Sequence, residues 1–444
     1  MPSDISSATS SHTSAHTSSK ISNALPGKSI SQRATFSQYK WRALIGVTFC
    51  YLFYYTGRQT LGFAVAGIQH DYGLSKYEIG WISATMLWCY AGGQFINGNL
   101  GDKFGGKAMM IAGAILSLAA NWVFSFGHTF VFFLIAWGAN GYFQSMGFAP
   151  GSRLLSNWWD HKHRGFVYGV YIGFSGFSSV LAYVFPLLIL GTMHLSWIWI
   201  FRLAPLSMLL GALVLWLFVS ERPEDQDLDT VAPKGDAPSE EGENDLTSAQ
   251  RYAVVLRNWR LYITGFAIGF QNAARYALVV WVPVHFLGID WKTSSTLIDP
   301  KWITVALPVG MALGSLSNSW ISDVLFQGRR YLAIVLYMVL ASTTAISMMF
   351  VPHGSMLAIG LLFFCGFFVF GPASSFWALC PDIFGRSVAG TATGVLNTMS
   401  YIFAGIGEPV IGHLIDSTGN TSIIFPIVAG LCAASAVLSI LIKR

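Results

Sequence analysis

The chain contains 444 residues, of which 53% are hydrophobic and only 11% are Asp, Glu, Lys or Arg. Soluble domains carry about a quarter charged residues, so a soluble chain of this composition could not cover its surface with polar groups. The net charge of +5 comes from basic residues at the ends of apolar stretches, which excludes a nucleic-acid-binding surface. The five cysteines are scattered without CxxC spacing, which argues against a disulfide framework or a zinc site.

The chain begins with a polar segment, residues 1–37, which is rich in Ser and Thr and has no apolar run. It lacks the apolar core of a secretory signal, and we predict a disordered cytoplasmic tail. Twelve apolar stretches follow, each long enough to cross a bilayer core of about 30 Å. Lipid offers the backbone no hydrogen-bonding partner, so each stretch is predicted to be a helix. The predicted spans are 42–66, 79–99, 107–126, 129–150, 166–190, 196–219, 260–288, 302–325, 331–351, 354–378, 387–413 and 422–442.

The longest polar interruption, residues 221–257, has the composition of a linker, with Pro, Gly and an acidic run. It divides the chain into an N-terminal six-helix bundle, 38–220, and a C-terminal six-helix bundle, 258–444. Lys and Arg cluster on the flanks that share a side with this linker, and the opposite flanks hold few. The positive-inside rule therefore predicts that the N-terminus, the linker and the C-terminus are all cytoplasmic.

The two bundles share features at matching positions. The loop after the second span reads GNLGDKFGGK, and the loop after the eighth reads WISDVLFQGRR, each with an Asp followed by basic residues. Arg58 in the first span likewise corresponds to Arg275 in the seventh. The number of residues between these arginines is nearly the same as the number between the aspartates of the two loops, Asp102 and Asp323. The sequence therefore predicts an all-α membrane fold of twelve transmembrane helices, arranged as two pseudo-symmetric six-helix bundles. Parallel repeats of this kind place a substrate site between the halves, near the middle of the membrane.

Both arginines lie deep in their spans, roughly 23 Å along the helix at 1.5 Å per residue. An arginine at the centre of a membrane helix costs roughly 2.5–3.5 kcal/mol on insertion scales. Two such residues at matched depths indicate a shared cavity for an anion, since guanidinium stays charged and presents a planar fork to phosphate or carboxylate. A structural ion pair with a buried acid is the alternative.

Several segments resemble known transporters. The GDKFGGK loop resembles the signature loop of the major facilitator superfamily. The runs YYTGR (54–58), NGYFQSMG (140–147) continuing to NWW, and Arg275-Tyr276 followed by WVP resemble the organophosphate:phosphate antiporter family. That family includes the glycerol-3-phosphate and hexose-phosphate transporters, and the resemblance covers residues 38–442.

The resemblance implies the major facilitator fold and a transporter, not an enzyme, which works by alternating access without cofactor or metal. It implies exchange of a phosphorylated metabolite for inorganic phosphate across a bacterial inner membrane, with Arg58 and Arg275 holding the substrate phosphate. We expect a monomer whose partners are a small anionic substrate and the lipid bilayer.

The sequence departs from the glycerol-phosphate members of that family at positions that are expected to recognise the charge of the substrate. Gln59 and Gln94 replace lysines, Ser175 replaces a histidine and Asn272 replaces a tyrosine. The change reflects either drift within one substrate class or a different anion, less charged or with a larger polar group. Tyr54, Tyr55 and Asn272 share helix faces with the arginines and complete the predicted substrate-binding set.

Glu408 is the acid deepest in a predicted span, and an intramembrane carboxylate is a functional candidate by default. It is predicted to couple protons to transport or to bind a cationic part of the substrate. The alternatives are pairing with an arginine or, if the span is shifted, a position at the level of the lipid headgroups. A second group of charged residues lies at the predicted cytoplasmic boundary, where it is expected to stabilise one conformation: Asp102, Lys103, Lys107, Asp323, Arg329 and Arg330. Two other functions stay open, a proton-coupled organic-anion symporter and a transporter-like membrane sensor of sugar phosphate.

Overall fold

The computed structural model describes residues 30–159, 164–226, 248–287, 300–352, 355–384 and 388–442. Within these ranges the regular secondary structure is entirely helical. The helices of the N-terminal half are α1 (Ile30–Tyr54), α2 (Leu61–Tyr72), α3 (Lys76–Phe104), α4 (Gly106–Phe124), α5 (Phe130–Trp158), α6 (Arg164–Leu187), α7 (Ile198–Leu203) and α8 (Ser207–Phe218). Those of the C-terminal half are α9 (Ser248–Arg257), α10 (Trp259–Phe286), α11 (Pro300–Val324), α12 (Arg330–Ser347), α13 (Met356–Phe370), α14 (Ala373–Phe384), α15 (Ala389–Thr418) and α16 (Ile424–Leu441).

These helices form twelve membrane-length stretches within the described residues. Three stretches are made of two helices each, namely α1 with α2, α7 with α8, and α13 with α14. In the described part of the chain, six segments are long enough and contain a sufficiently apolar stretch to cross a membrane, by length and composition alone. The more polar α3, α5, α10 and α15 are 28 to 30 residues long. That exceeds the length of about 20 residues needed to span a bilayer.

Local sequence sets several helix ends. Gly73, with φ 66°, ends α2 in the left-handed region that glycine adopts without strain. Ser75 then begins α3 with a capping box, in which its hydroxyl accepts from the Glu78 amide while the Glu78 carboxylate accepts from the Ser75 amide. This turn marks one end of the molecule, called here the α2–α3 end.

Two helices begin inside segments predicted to be irregular. Helix α1 starts at Ile30, within the predicted tail 1–37, and residues 1–29 lie outside the described part of the chain. Helix α9 lies within the predicted linker 221–257, of which residues 227–247 are likewise outside it. The bundles therefore extend further into the polar segments than hydropathy alone suggests.

Among the described residues, the most extensive contacts between the two halves join α3 with α15, α6 with α11, and α2 with α10. Several bonds between the halves lie toward the α2–α3 end. The Tyr183 hydroxyl donates to the Val279 carbonyl at 2.9 Å, and the Tyr77 amide donates to Asp416 Oδ2 at 2.8 Å. Lys76 Nζ also lies 3.8 Å from Asp416 Oδ1. Hydrogen bonds and an ion pair between the two halves thus close the molecule at the α2–α3 end.

Candidate functional site

Arg58 lies within a break in the first membrane stretch. Helix α1 ends at Tyr54, a 3-10 turn spans Tyr55–Gly57, and α2 starts only at Leu61. Arg58 itself has φ −132° and ψ −19°, outside the helical region. Discontinuous membrane helices are characteristic of transporter binding sites, because they free backbone groups and redirect side chains at mid-membrane depth.

Two asparagines from other helices hold this break in place. The Gly57 carbonyl, which the break deprives of its helical partner, accepts from Asn121 Nδ2 at 3.1 Å and from Asn140 Nδ2 at 2.7 Å. Ser117 donates to Asn140 Oδ1 at 2.6 Å, and Gln144 donates to Ser117 at 2.8 Å. All four side chains are fully buried. Asn140 and Gln144 belong to the NGYFQSMG run, so part of that run supports the backbone beneath Arg58.

The Arg58 side chain is 5% exposed and lies among tyrosines. Its guanidinium carbon is 3.9 Å from the centre of the Tyr55 ring and 5.2 Å from that of Tyr90. Nη2 donates to the Tyr51 hydroxyl at 3.3 Å, whereas Nε and Nη1 have no hydrogen-bonding partner in the described structure. The arginine therefore keeps donors available for an anion.

Arg275 lies within the unbroken helix α10 and is 6% exposed. Its guanidinium carbon is 4.4 Å from the centre of the Phe370 ring and 5.3 Å from that of Tyr276. Its Nε has no partner among the described residues. Tyr55, whose ring lies against Arg58, also interacts electrostatically with Arg275, so this tyrosine lies in the region shared by both arginines.

No carboxylate lies within ion-pair distance of either guanidinium in the described ranges. The groups that act electrostatically on the two arginines are tyrosines and, for Arg275, the charge of Arg58. The structural ion pair considered as an alternative is therefore absent from the described residues. Two like charges, one from each half, share a buried region without a compensating acid.

The other predicted substrate-binding residues fall into two groups. Gln59 is buried with both polar amide atoms unpaired, and half-buried Gln94 has an unpaired Nε2, so within the described structure both amides are available to a ligand. Tyr54 instead donates to the Met110 carbonyl at 2.5 Å inside the N-terminal half. Asn272 Nδ2 donates to the Ser400 carbonyl at 3.2 Å. Tyr54 and Asn272 thus already have protein partners.

Three further tyrosines connect the arginines, and sequence reasoning assigned none of them a role. The ring centres of Tyr90 and Tyr401 are 4.6 Å apart, and those of Tyr401 and Tyr276 are 5.8 Å apart. Since Tyr90 is on α3 and Tyr401 on α15, this tyrosine bridge joins the two halves beside the site. Tyr90 lies one helical turn before Gln94, a spacing that could have identified it.

Glu408 is on α15 and only 1% exposed. Neither carboxylate oxygen has a hydrogen bond within the described residues. Ser83 on α3 and Trp281 on α10 are the polar side chains close enough to act on it. The alternative of pairing with an arginine has no support in the described contacts.

The predicted gating residues make contacts within each half. Lys107 Nζ donates to the Trp216 carbonyl at 2.9 Å, while the Gly106 and Lys107 amides donate to the Glu221 carboxylate at 2.7 Å each. Glu221, which sequence reasoning did not single out, thus caps α4. Arg330 Nη1 lies 3.7 Å from Asp323 Oδ1, Arg329 precedes α12, Lys103 is exposed, and the Asp102 side chain lies outside the described structure.

Comparison with known proteins gives consistent results. The sequence model of the Major Facilitator Superfamily matches residues 47–408. A probable hexose phosphate transport protein of Chlamydia muridarum is 27% identical over 403 residues, covering 86% of this chain and 87% of that protein. The glycerol-3-phosphate transporter of Bacillus subtilis is 26% identical over 400 residues, covering 86% and 88%.

Two further similarities concern sensing and fold. The membrane sensor protein UhpC of Escherichia coli is 24% identical over 413 residues, covering 90% of this chain and 92% of that protein. Among solved structures, a bacterial homologue of the human lysosomal transporter Spinster, in an inward-facing and unoccupied conformation, superimposes with a TM-score of 0.65. It is 14% identical and covers 91% of this chain and 95% of that one, which shows a shared fold.

Proposed function

Because this chain belongs to the major facilitator superfamily, we propose that it is a secondary transporter that carries a phosphorylated metabolite across the membrane by alternating access. The substrate phosphate binds between the halves, held by Arg58 and Arg275. The curated relatives named above support this class of substrate, since two of them are transporters of hexose phosphate or glycerol 3-phosphate.

One observation carries the proposal, namely two buried guanidinium groups without a carboxylate partner in the described ranges. Burying an unpaired charge is costly, and proteins retain such groups where a ligand supplies the opposite charge. A phosphate offers several oxygens to two planar forks at once, which is the strongest common hydrogen-bond geometry for arginine. The unpaired donors of Arg58 and Arg275 suit this geometry.

The site favours a substrate with one dianionic head group and an otherwise neutral body. Arg58 and Arg275 are the only basic side chains that the described structure buries. Gln59 and Gln94 occupy the positions where the glycerol-phosphate members of the resembling family have lysines. A second anionic group on the substrate, such as the carboxylate of a phosphoglycerate, would meet amides and tyrosines without a cation. Amides hydrogen-bond sugar hydroxyls well, so polyol and sugar phosphates fit best.

Exchange against inorganic phosphate follows from the same charges. Two arginines that approach each other in an empty site repel, and a bound dianion offsets that repulsion. The loaded carrier should therefore change conformation faster than the empty one, which is the condition for obligatory exchange. We further propose, from the positive-inside rule, that both termini are cytoplasmic and that the α2–α3 end faces the opposite side of the membrane. The bacterial source of the relatives named above supports a bacterial inner membrane.

Counterflow in proteoliposomes tests this function. Vesicles loaded with inorganic phosphate should take up labelled glycerol 3-phosphate or glucose 6-phosphate, and phosphate-free vesicles should not. Phosphoglycerate should be a poor substrate. Arg202→Lys is a matched control, because Arg202 donates from Nε to Ser125 at 2.9 Å near the α2–α3 end, away from the arginine pair.

The outcomes separate the candidate functions. Uptake that depends on internal phosphate supports exchange. Tight binding without uptake would indicate a membrane sensor, the function of the UhpC relative. Absence of both binding and uptake for every organophosphate and for inorganic phosphate would overturn the proposed substrate class.

A further inference from the structure

The seal at the α2–α3 end depends on close backbone contact between α3 and α15, one helix from each half. A Cβ on Gly80 would collide with the Glu408 carbonyl and with Pro409. A Cβ on Gly412 would likewise collide with the Lys76 carbonyl. The two glycines therefore let the helix backbones touch along this part of the interface.

Glu408 lies in the middle of this seal. Of the three charged side chain positions that the described structure buries, Arg58, Arg275 and Glu408, it is the single acid. Its oxygens accept no hydrogen bond from the described residues, and the nearby Trp281 Nε1 is equally unpaired. The Glu408 carboxyl is therefore shielded from bulk solvent and has no counter-charge among the described residues.

Charged and titratable groups on the elements packed against Glu408 do not compensate it. None of them lies within ion-pair distance of its carboxyl in the described ranges, where Ser83 and Trp281 alone act on it. These groups are Lys76, Tyr77, Glu78, Cys89, Tyr90 and Lys103 on α3, Arg251, Tyr252 and Arg257 on α9, Arg260, Tyr262, Arg275, Tyr276 and His285 on α10, Cys380 on α14, Tyr401, His413 and Asp416 on α15 itself, and Cys432 on α16.

We infer that Glu408 is a proton-binding site whose occupancy controls closure of the α2–α3 end. An ionised carboxylate without a partner is far too costly to bury, whereas a neutral carboxyl group can be enclosed. When α3 and α15 separate, water reaches the group and it ionises. On closure, a proton from the solution at that end joins a carboxylate oxygen, and it returns to water on reopening.

This inference rests on the proposed function only in that the two halves separate during transport. It does not depend on which substrate is carried. It predicts that acid favours the closed α2–α3 end and that alkali favours the open one. One linked proton changes the ratio of closed to open molecules by at most about tenfold per pH unit.

Asp416 provides a matched comparison on the same helix. Its side chain is 28% exposed, accepts from the Tyr77 amide at 2.8 Å and lies 3.8 Å from Lys76 Nζ. Asp416 therefore has partners across the interface and partial contact with solvent, both of which Glu408 lacks. It serves as the paired acid against which the enclosed one is compared.

Distances between spin labels test the inference without any substrate. Labels at His70→Cys and Ser417→Cys, exposed positions on the two halves at the α2–α3 end, are introduced after the five native cysteines are replaced. Distance distributions are recorded by pulsed electron paramagnetic resonance between about pH 5 and pH 9. The parent protein should show a long-distance population that grows with pH.

Three variants test whether Glu408 is responsible for the pH dependence of these distances. Glu408→Gln, neutral and nearly isosteric, should stay at the short distance throughout. Asp416→Asn should show more of the long distance at every pH while keeping the pH dependence. His413→Gln controls for a histidine whose ring lies 5.7 Å from that of Tyr77 across the seal, and it should behave like the parent.

A parent protein with no pH response, or a Glu408→Gln variant that responds like the parent, would overturn the inference. If Glu408→Gln does not stay monodisperse, Glu408→Asp replaces it, and an unchanged midpoint pH would overturn the inference equally. Loss of organophosphate exchange combined with a retained pH response would count against the proposed function alone.

Discussion

The two buried arginines carry the same charge but are positioned by different kinds of structure. Arg58 lies within a helix break, which asparagines from α4 and α5 stabilise by donating to the Gly57 carbonyl. Arg275 lies inside the continuous helix α10 and packs on Phe370. The N-terminal arginine therefore depends on a polar network from distant segments, whereas ordinary helical geometry places the C-terminal one. The two charges occupy matching positions in the two halves, but the backbone that carries them differs between the halves.

Removing either arginine should have the largest effect on exchange, and the effect should be similar for the two arginines. Arg58→Gln and Arg275→Gln each delete a charge-assisted contact worth about 1.5–3 kcal/mol per hydrogen bond, and a bidentate contact contains two. Exchange should fall by more than about 150-fold in both, measured as initial rates of phosphate counterflow. Arg202→Lys should exchange like the parent protein. Near-normal exchange in one of the two variants would mean that only the other arginine binds the anion.

Disrupting the break should have an intermediate effect and be confined to one half. Asn140→Leu removes the shorter of the two bonds to the Gly57 carbonyl, 2.7 Å long, and also removes the acceptor of the Ser117 hydroxyl. A buried polar group left unpaired costs about 1–3 kcal/mol. Both the thermal unfolding temperature and substrate affinity should fall. The matched variant Asn272→Leu removes a bond to Ser400, yet it leaves α10 continuous, so affinity should change less.

The opposite order would revise the comparison. If Asn272→Leu weakens binding as much as Asn140→Leu does, Asn272 contacts the substrate directly, as its position one turn from Arg275 first indicated. If Asn140→Leu changes neither stability nor affinity, the break holds Arg58 without the asparagine network.

Removing an aromatic neighbour should have the smallest effect. Stacking of a guanidinium on a ring is worth about 0.5–2 kcal/mol, so Tyr90→Leu and Phe370→Leu should each weaken binding roughly 2- to 30-fold. The Tyr90→Phe variant keeps the ring and should bind within a factor of about two of the parent. Titration calorimetry with glycerol 3-phosphate measures all three. Equal losses in Tyr90→Phe and Tyr90→Leu would show that the hydroxyl of Tyr90, not its ring, matters.

The fold was largely predictable because hydropathy, charge asymmetry and the repeated loops each act through short segments of sequence. The membrane class, the superfamily and the helical fold are confirmed by the structure and the family match. The division into tail, linker and bundles stays a prediction, although helices α1 and α9 begin inside the segments expected to be irregular.

The site was only partly predictable. Arg58 and Arg275 stand out in the sequence because a charge deep in an apolar span is costly. The helix break after Tyr54 could not be predicted in the same way, because no proline marks it in the sequence. The break depends on Asn121 and Asn140, which are distant in sequence. Likewise, nothing local distinguishes Tyr90 and Tyr401 from the many tyrosines that simply pack. A sequence pattern can therefore indicate which residues are costly to bury. Contacts between helices that are distant in sequence can be recognised only from the three-dimensional structure.

The central claim is that one anion is held by both arginines, and titration calorimetry of the lysine variants tests it most directly. Lysine keeps the charge but replaces the planar fork with a point contact. With inorganic phosphate and glycerol 3-phosphate as ligands, Arg58→Lys and Arg275→Lys should each bind roughly 10- to 150-fold more weakly than the parent, and Arg202→Lys should bind normally. If a monodisperse Arg58→Lys or Arg275→Lys variant binds both ligands with the parent's affinity, that arginine does not hold the anion and the shared site is wrong.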